Sequence, residues 1–343
     1  MIMSLLQPAV NPAQSRSYEE LSRPFFAVHS YPGLGLALQA LGALSLASCL
    51  SSVLSFVFRT FLRGGIGLKK FGAGTGAWAV ITGASDGIGR EFALQLADKG
   101  FNVLIAARNA DKLAAVAREI EQKTNNKAQV ECFTIDFASA PDARYEALRE
   151  SAQAKDVGVL VNNVGKSHEM PTDFVETPAD EMHDILAINV QATVRVTALI
   201  APGMVSRHRG LILNLGSFAG SAPSPMLATY SASKAFLRTF SDALAAELGP
   251  KGVIVEHANT YFVVSAMSKI RKSSAMIPTP RAYVRSVLSS VSPGSKAPYW
   301  SHAVIAAVMN SVPEWVVVKY MHGLHKDIRK RALRKKEREA KKQ

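Results

Sequence analysis

Cysteine is nearly missing from this chain: 343 residues hold two, Cys49 and Cys132. One lies in an apolar run and the other in a β-type segment. Neither has the spacing of a ligand pair, so a disulfide framework is excluded and no metal site is expected. The scarcity suits a catalytic domain that faces a reducing compartment. Internal repeats are absent, and so is low-complexity sequence outside the C-terminus. Aromatic residues make up only 8% and are not interleaved with a basic stretch. The net charge of +13 is therefore not the footprint of a nucleic-acid binder, and no nucleic-acid partner is expected. The charge is concentrated: residues 326–343 hold ten basic and three acidic side chains. A basic terminus beside an apolar segment reads as a contact with membrane lipid.

One long stretch lacks charge altogether. Residues 34–58 run 25 positions without an acid or a base. At about 1.5 Å per residue a helix of that length exceeds the roughly 30 Å hydrocarbon core, so it is long enough to span. A cleaved signal peptide fits poorly, because the run begins late and no charged segment immediately precedes it. Arg16, Glu19, Glu20 and Arg23 come before it, and Arg59, Arg63, Lys69 and Lys70 after it. The excess of lysine and arginine after the run places the main domain in the cytosol. A second apolar stretch, 303–318, is broken by Asn310, Pro313 and Glu314. It reads as interfacial or re-entrant, with a spanning helix as the alternative. The organisation is then an N-terminal segment (1–33), a transmembrane helix (34–58), a catalytic domain (75–298), an interfacial segment (299–325) and a basic tail (326–343).

What fills the catalytic region is alternation. Apolar β-type runs at 78–82, 101–107, 130–135, 157–161, 211–215 and 253–257 are separated by helical patterns at 90–99, 111–123, 143–152, 178–204 and 231–248. Strands apolar nearly throughout, alternating with helices, predict an α/β fold with a doubly wound parallel sheet of the Rossmann type.

A glycine turn follows the first run at once: Thr82-Gly83-Ala84-Ser85-Asp86-Gly87-Ile88-Gly89. A turn between strand and helix is the setting in which glycines cradle phosphate. Gly83 permits the tight turn, Gly87 lets a pyrophosphate approach, and Gly89 lets the helix pack on the strand. Ser85, Asp86 and Ile88 share that turn and count as cofactor-binding with it. The spacing is Gly-x-x-x-Gly-x-Gly, not the Gly-x-Gly-x-x-Gly of the commoner dinucleotide fold. After the second run comes Ala107-Arg108-Asn109. An NAD enzyme wants a carboxylate there for the ribose 2′-hydroxyl. With no acid and Arg108 in place, a 2′-phosphate is favoured, hence NADPH. Asp136 ends the third run and faces the adenine.

Tyr230 and Lys234 stand four apart, on one face of a helix, and Ser217 lies thirteen residues before the tyrosine. An ammonium beside a tyrosine can hold it near ionisation and can touch a cofactor ribose. Glycine turn, serine, tyrosine and lysine in this order describe hydride transfer between a nicotinamide and a carbonyl or alcohol.

These residues, with Asn162-Asn163-Val164-Gly165 and Asn189, resemble the short-chain dehydrogenase/reductase family over about residues 75–270. The resemblance implies a seven-stranded sheet, and often a homodimer through the long helices around Val190 and Ala235. It implies Tyr230 as general acid, Ser217 on the developing alkoxide, Lys234 on the ribose and Asn189 holding a water that links Lys234 to solvent. It also implies cofactor contacts by Asn163, Val263 and Ser265. Within the family the chain is most similar to the membrane-bound very-long-chain 3-oxoacyl-CoA reductases, a branch related to 17β-hydroxysteroid dehydrogenases. The details are the N-terminal anchor, Asn-Asn-Val-Gly with its valine, the Ser167…Pro171 loop, Pro202-Gly203-Met204-Val205, Tyr261-Phe262-Val263-Val264-Ser265 and the basic C-terminus. That likeness implies a long-chain acyl-CoA substrate, an endoplasmic reticulum membrane, and the elongase condensing enzyme, dehydratase and enoyl reductase as neighbours. The chain departs from the family at His257-Ala258-Asn259-Thr260, where Pro-Gly is usual. It departs again at the end, where Lys341-Lys342 sits one step too near the terminus for a dilysine retrieval signal.

Two other readings stand beside it: the same chemistry on a steroid, retinoid or 3-ketosphingoid base, and a membrane-tethered scaffold that binds NADPH without turnover. Residues 268–291, with Lys269, Arg271, Lys272 and Arg281, are expected either to close over coenzyme A as a cationic lid or to form a solvated face. Met226, Phe262 and Met267 are candidates for an acyl channel or for core. His168 is expected to be solvated.

Overall fold

A helix of unbroken apolar sequence has no polar face to turn to water, and α1 (Pro32–Val57) shows none of its surface buried against protein. The computed structural model describes residues 32–62 and 64–341. The flanking residues Arg16, Glu19, Glu20, Arg23 and Arg63, and the terminal Lys342, lie outside the described residues. The chain divides after Leu62 into two units.

The second unit is built on β1 (Trp78–Thr82), α2 (Gly87–Asp98), β2 (Asn102–Ala107), α3 (Ala110–Thr124), β3 (Val130–Thr134), α4 (Asp142–Gln153) and β4 (Val157–Asn162). There follow α5 (Ala179–Leu186), a π turn (Ala187–Gln191), α6 (Ala192–Ser206), β5 (Gly210–Leu215), α7 (Ala228–Leu248) and β6 (Val253–Ala258). The sequence closes with α8 (Pro280–Ser289), β7 (Gly294–Lys296), α9 (Trp300–Ser311) and α10 (Glu314–Ala340). All seven strands are parallel, in the order β3-β2-β1-β4-β5-β6-β7. The chain reverses direction across the sheet beside β1, which pairs β2 on one side and β4 on the other. Such a switch point leaves a crevice at the carboxyl ends of the strands, where ligands of open α/β sheets bind.

Strand alternation sorts the side chains into two cores. Ile81, Ile105 and Leu213 meet Phe92, Leu113 and Tyr283 on one face. Val80, Leu104 and Ile212 meet Leu148, Val196 and Met204 on the other. Phe92 is fully buried, and truncating such a ring to alanine costs about 3–5 kcal/mol. Six strands stand where the apolar runs predict them. β7 is Gly-Ser-Lys, three polar residues with no strand pattern. It forms because the main chain of Glu256–Ala258 offers it a ladder.

One expectation needs correction. The segment 268–291 is neither one lid nor one solvated face. Its second half is α8, whose Tyr283, Val284 and Val287 are fully buried, and of the part before it Ser268 lines a pocket with Ser217 and Tyr230. In the apolar stretch 303–318, Pro313 separates α9 from α10. Among the described residues, only 33–62 and 179–206 form helices long and apolar enough to cross a membrane, and the latter is over half buried in the fold. α9 and α10 belong to the same compact unit as the sheet.

Candidate active site

The glycine turn is left-handed where the sequence needs it. Gly83 has φ +66° and Gly87 φ +57°, a region that side chains resist. A Cβ on Gly89 would overlap the carbonyl oxygen of Gly83 and the Asn163 amide. Asp86 caps α2, its carboxylate accepting from Gly87 N at 2.7 Å. Asn163 serves the turn rather than merely lining it: its Nδ2 donates to the carbonyls of Thr82 and Gly83 at 3.0 and 3.1 Å. Thr82 Oγ1 in turn accepts from the main-chain amides of Asn163 and Val164.

In front of the turn opens a cleft of about 420 Å³. Gly83, Ser85, Asp86, Gly87, Ile88, Arg108, Asp136, Asn163 and Ser265 all line it. Around Gly87 the space is free, the nearest atom to an added Cβ being Ser265 Cβ at 3.7 Å. The helix N-terminus of α2 and a backbone that can be approached closely fit a nicotinamide dinucleotide.

A second pocket, about 240 Å³, shares Ile88, Asn163, Gly165, Ser265 and Met267 with the first and contains Ser217, Tyr230 and Lys234. Val263 lies here, not in the cleft. Ser217 and Tyr230 line this pocket together. Lys234 is buried, donates to Leu215 O at 3.0 Å, and stands 5.9 Å from the Tyr230 ring centre. Burial pulls the lysine down to about 8. Burial raises the Tyr230 phenol, and the Ser217 hydroxyl opposes that only in part; the lowering expected for Tyr230 is assigned to Lys234 together with the oxidised nicotinamide.

Asn189 sits in the π turn between α5 and α6 and is fully buried. A π turn inside a helix is often a functional device. Here it delivers the Asn189 amide to the loop after β4. Nδ2 donates to Lys166 O and to Ser233 Oγ, both at 2.9 Å, and Oδ1 accepts from Lys166 N at 2.8 Å. Both donors of the amide are thus used within the protein. An added Cβ at Gly165 would lie 3.5 Å from Asn189 Oδ1 and 3.7 Å from Lys234 Nζ, so asparagine and lysine meet across this glycine.

Some of the site was not visible in the sequence. Gly216 must be glycine because a Cβ there would overlap the His257 ring. His257, at the departure from Pro-Gly, bonds Ser295 Oγ at 2.7 Å. Burial, then the charges of Lys234 and Arg238, hold it down at about 4, so it is neutral. His168 is not solvated: it is buried, with Nδ1 2.6 Å from Glu181. Phe262 and Met267 line the second pocket, while Met226 is buried outside it.

The largest surprise is α10. The basic tail is its C-terminal half, and it fastens onto loops beside the pocket. Arg329 donates to Pro171 O at 3.0 Å and pairs with Glu176 at 2.7 Å, and Lys336 pairs with Glu169 at 2.9 Å. Met321, Leu324 and His325 form part of the pocket wall. The signal was there: Val317, Met321, Leu324 and Ile328 recur at helical spacing, hidden among the charges.

The sequence profile of the short chain dehydrogenases matches residues 77–275. A very-long-chain 3-oxoacyl-CoA reductase of Coprinopsis cinerea is 58% identical over 89% of this chain and 93% of its own length. That of Laccaria bicolor is 53% identical over 94% and 98%. Among solved structures, a short-chain dehydrogenase of Sphingobium yanoikuyae in complex with NADPH superposes with TM-score 0.58 at 24% identity, covering 69% of this chain and 97% of that one.

Proposed function

The chain belongs to the short-chain dehydrogenase family of oxidoreductases, and from that premise we propose that it reduces very-long-chain 3-oxoacyl-CoA to 3-hydroxyacyl-CoA with NADPH. The observation that carries the reading is the second pocket. Ser217, Tyr230 and Lys234 share it with apolar side chains, and it joins the nucleotide cleft through Ile88 and Ser265. The relatives that span nearly all of this chain bear that activity in their names.

Held in the cleft, NADPH would supply a hydride to the ketone carbon. The protein's work is at the oxygen. Ser217 and Tyr230 line one pocket, so a ketone oxygen placed between them meets two hydroxyl donors. Tyr230 gives up its proton as charge grows there. Its raised pKa keeps it protonated until that moment. The lysine, near 8, is mostly charged at neutral pH and stabilises the tyrosinate left behind. Arg108, on the cleft wall, is suited to a 2′-phosphate.

Further elements support the setting. α1 is suited to anchoring in a membrane, which we read as the endoplasmic reticulum with the catalytic unit on the cytosolic side. Trp300, Val304 and Val308 make an exposed apolar row on α9, which suits a bilayer surface. Arg271 and Lys272 are exposed, and we assign them the phosphates of coenzyme A. Exposed Phe236 on α7 suits a homodimer through that helix. Elongase condensing enzyme, dehydratase and enoyl reductase are the partners this activity needs.

The test is NADPH oxidation by the detergent-solubilised protein with a long-chain 3-oxoacyl-CoA, beside Tyr230→Phe. The expected result is turnover by the first and a loss of roughly 10²–10⁴-fold in the second. Turnover of a 3-ketosphingoid base or a steroid in place of the acyl-CoA would overturn the substrate. Full activity in the phenylalanine variant would overturn the mechanism.

A further inference from the structure

The buried histidines of the second unit divide by what happens to Nε2. In His168, His257 and His302 that nitrogen is sealed from solvent and has no partner. His325 differs. Its ring is 4% exposed, and its Nδ1 lies 2.6 Å from Pro225 O. A carbonyl oxygen only accepts, so Nδ1 carries the hydrogen and donates it. The same residue lines the pocket with Ser217, Tyr230 and Leu227, and its Nε2 is not among the sealed atoms. Burial lowers its pKa, the Pro225 carbonyl opposing and His322 adding to the effect. The ring is therefore neutral, and with Nδ1 donating to Pro225 O its remaining lone pair is on Nε2 of a residue that lines the pocket.

A lone pair on the part of the wall made by Leu227, Met321 and Leu324 has use only for a donor. Taking the substrate class proposed above, a 3-oxoacyl thioester offers few. Its ketone and thioester oxygens accept, its alkyl chain is apolar, and its sulfur donates nothing. Past the sulfur and a short methylene spacer comes the first N–H, the pantetheine amide. We infer that His325 is a specificity residue on α10 that accepts a hydrogen bond from the amide N–H of a pantetheine-type thiol carrier, so that the C-terminal helix reads the carrier while Ser217 and Tyr230 read the ketone. The inference rests on the acyl-thioester reading, and α10 is fitted to the task. Pro225 fixes the ring, and Arg329 and Lys336 pin the helix to Pro171, Glu176 and Glu169. This gives a reason for the basic C-terminal sequence inside the fold.

The experiment compares two long-chain 3-oxoacyl thioesters with the full-length protein and NADPH. One is the N-acetylcysteamine thioester, which carries the amide. The other is the S-(2-acetoxyethyl) thioester, in which an ester oxygen replaces the N–H. Wild type is expected to prefer the amide by roughly five- to tenfold in kcat/KM, mostly through KM, as the loss of one hydrogen bond predicts. His325→Asn keeps a donor where Nδ1 stood, so the Pro225 contact and the fold survive. It removes the lone pair at Nε2 and should bring the preference to about one. His325→Gln loses the Pro225 contact but places an amide oxygen near the Nε2 position, and should keep most of the preference. The KM for NADPH should be the same in all three. Equal rates on both thioesters in wild type, or an unchanged preference in His325→Asn, overturn the inference and leave the acyl-thioester reading standing. Reduction of neither thioester, together with none of the CoA ester, overturns both.

Discussion

The two halves of the site are made in opposite ways. The cofactor cleft is local: seven of its wall residues lie between Gly83 and Arg108, on one strand–turn–helix–strand unit. The substrate pocket is assembled from Ile88 to His325, across most of the chain. A local site can be encoded in a motif, because each residue's neighbours are set by a turn of known shape. An assembled site depends on where distant helices dock, and that is decided by packing over the whole domain. The contrast predicts that damage to the cleft changes cofactor use, while damage to α10 changes substrate use alone.

The sharpest way to break the contrast is at Arg108. Arg108→Asp should weaken NADPH binding by roughly 10–100-fold, the loss of a charge-assisted contact, and should improve the relative use of NADH. Selectivity measured with both cofactors checks this; an unchanged ratio would show that the arginine does not read the 2′-phosphate. Next comes the lysine that both halves share. Its folded pKa near 8 means that the ammonium is lost as pH rises through that value. Log kcat should therefore fall with a slope of about one above pH 8 and be flat just below it. A limb that begins only near 10 would mean that Lys234 is better solvated than its burial implies. The smallest effect is expected from Arg329→Ala, which loosens α10 from Pro171 and Glu176. A partly exposed ion pair is worth about 1 kcal/mol or less, so the KM for acyl-CoA should rise a fewfold while the NADPH KM stays put. Equal rises in both would erase the division between the halves.

Stability should carry a related signature. The His257 ring is held near 4 by burial and by Lys234 and Arg238, against about 6.5 when unfolded. Between those values the unfolded chain binds more protons, so this histidine lowers stability as pH falls from 6.5 toward 4. Its neighbour Glu256 is raised to about 7 by burial, Lys296 and Ser292 opposing. It does the opposite, lowering stability as pH rises from about 4.5 to 7. The two slopes offset each other, and Glu256→Gln should expose the histidine's dependence in melting curves at pH 5 and pH 7.

Much of this was legible in the linear sequence. Apolar runs marked six of the seven strands, because a parallel strand covered on both faces must be apolar throughout. The glycine turn, Arg108, Ser217, Tyr230 and Lys234 were readable as candidates because local geometry sets their places: a left-handed φ, a strand end, a pair on one helix face. β7 was not, since three polar residues form a strand only when a neighbour's main chain is waiting. Gly216 was not, since the ring it must clear comes from a strand forty residues on. The α10 contribution was masked because a surface of lysine and arginine hid its apolar stripe.

The sequence by itself determined six of the seven strands, the glycine turn, the order of the candidate residues and the charge-free helix, all of which follow from periodicity and local stereochemistry. Tertiary structure decided which loops line the pocket of Ser217, Tyr230 and Lys234, that burial raises the Tyr230 phenol, and that Met321, Leu324 and His325 of the C-terminal helix wall that pocket. Those facts depend on desolvation and long-range packing, which exist only once the chain has closed on itself.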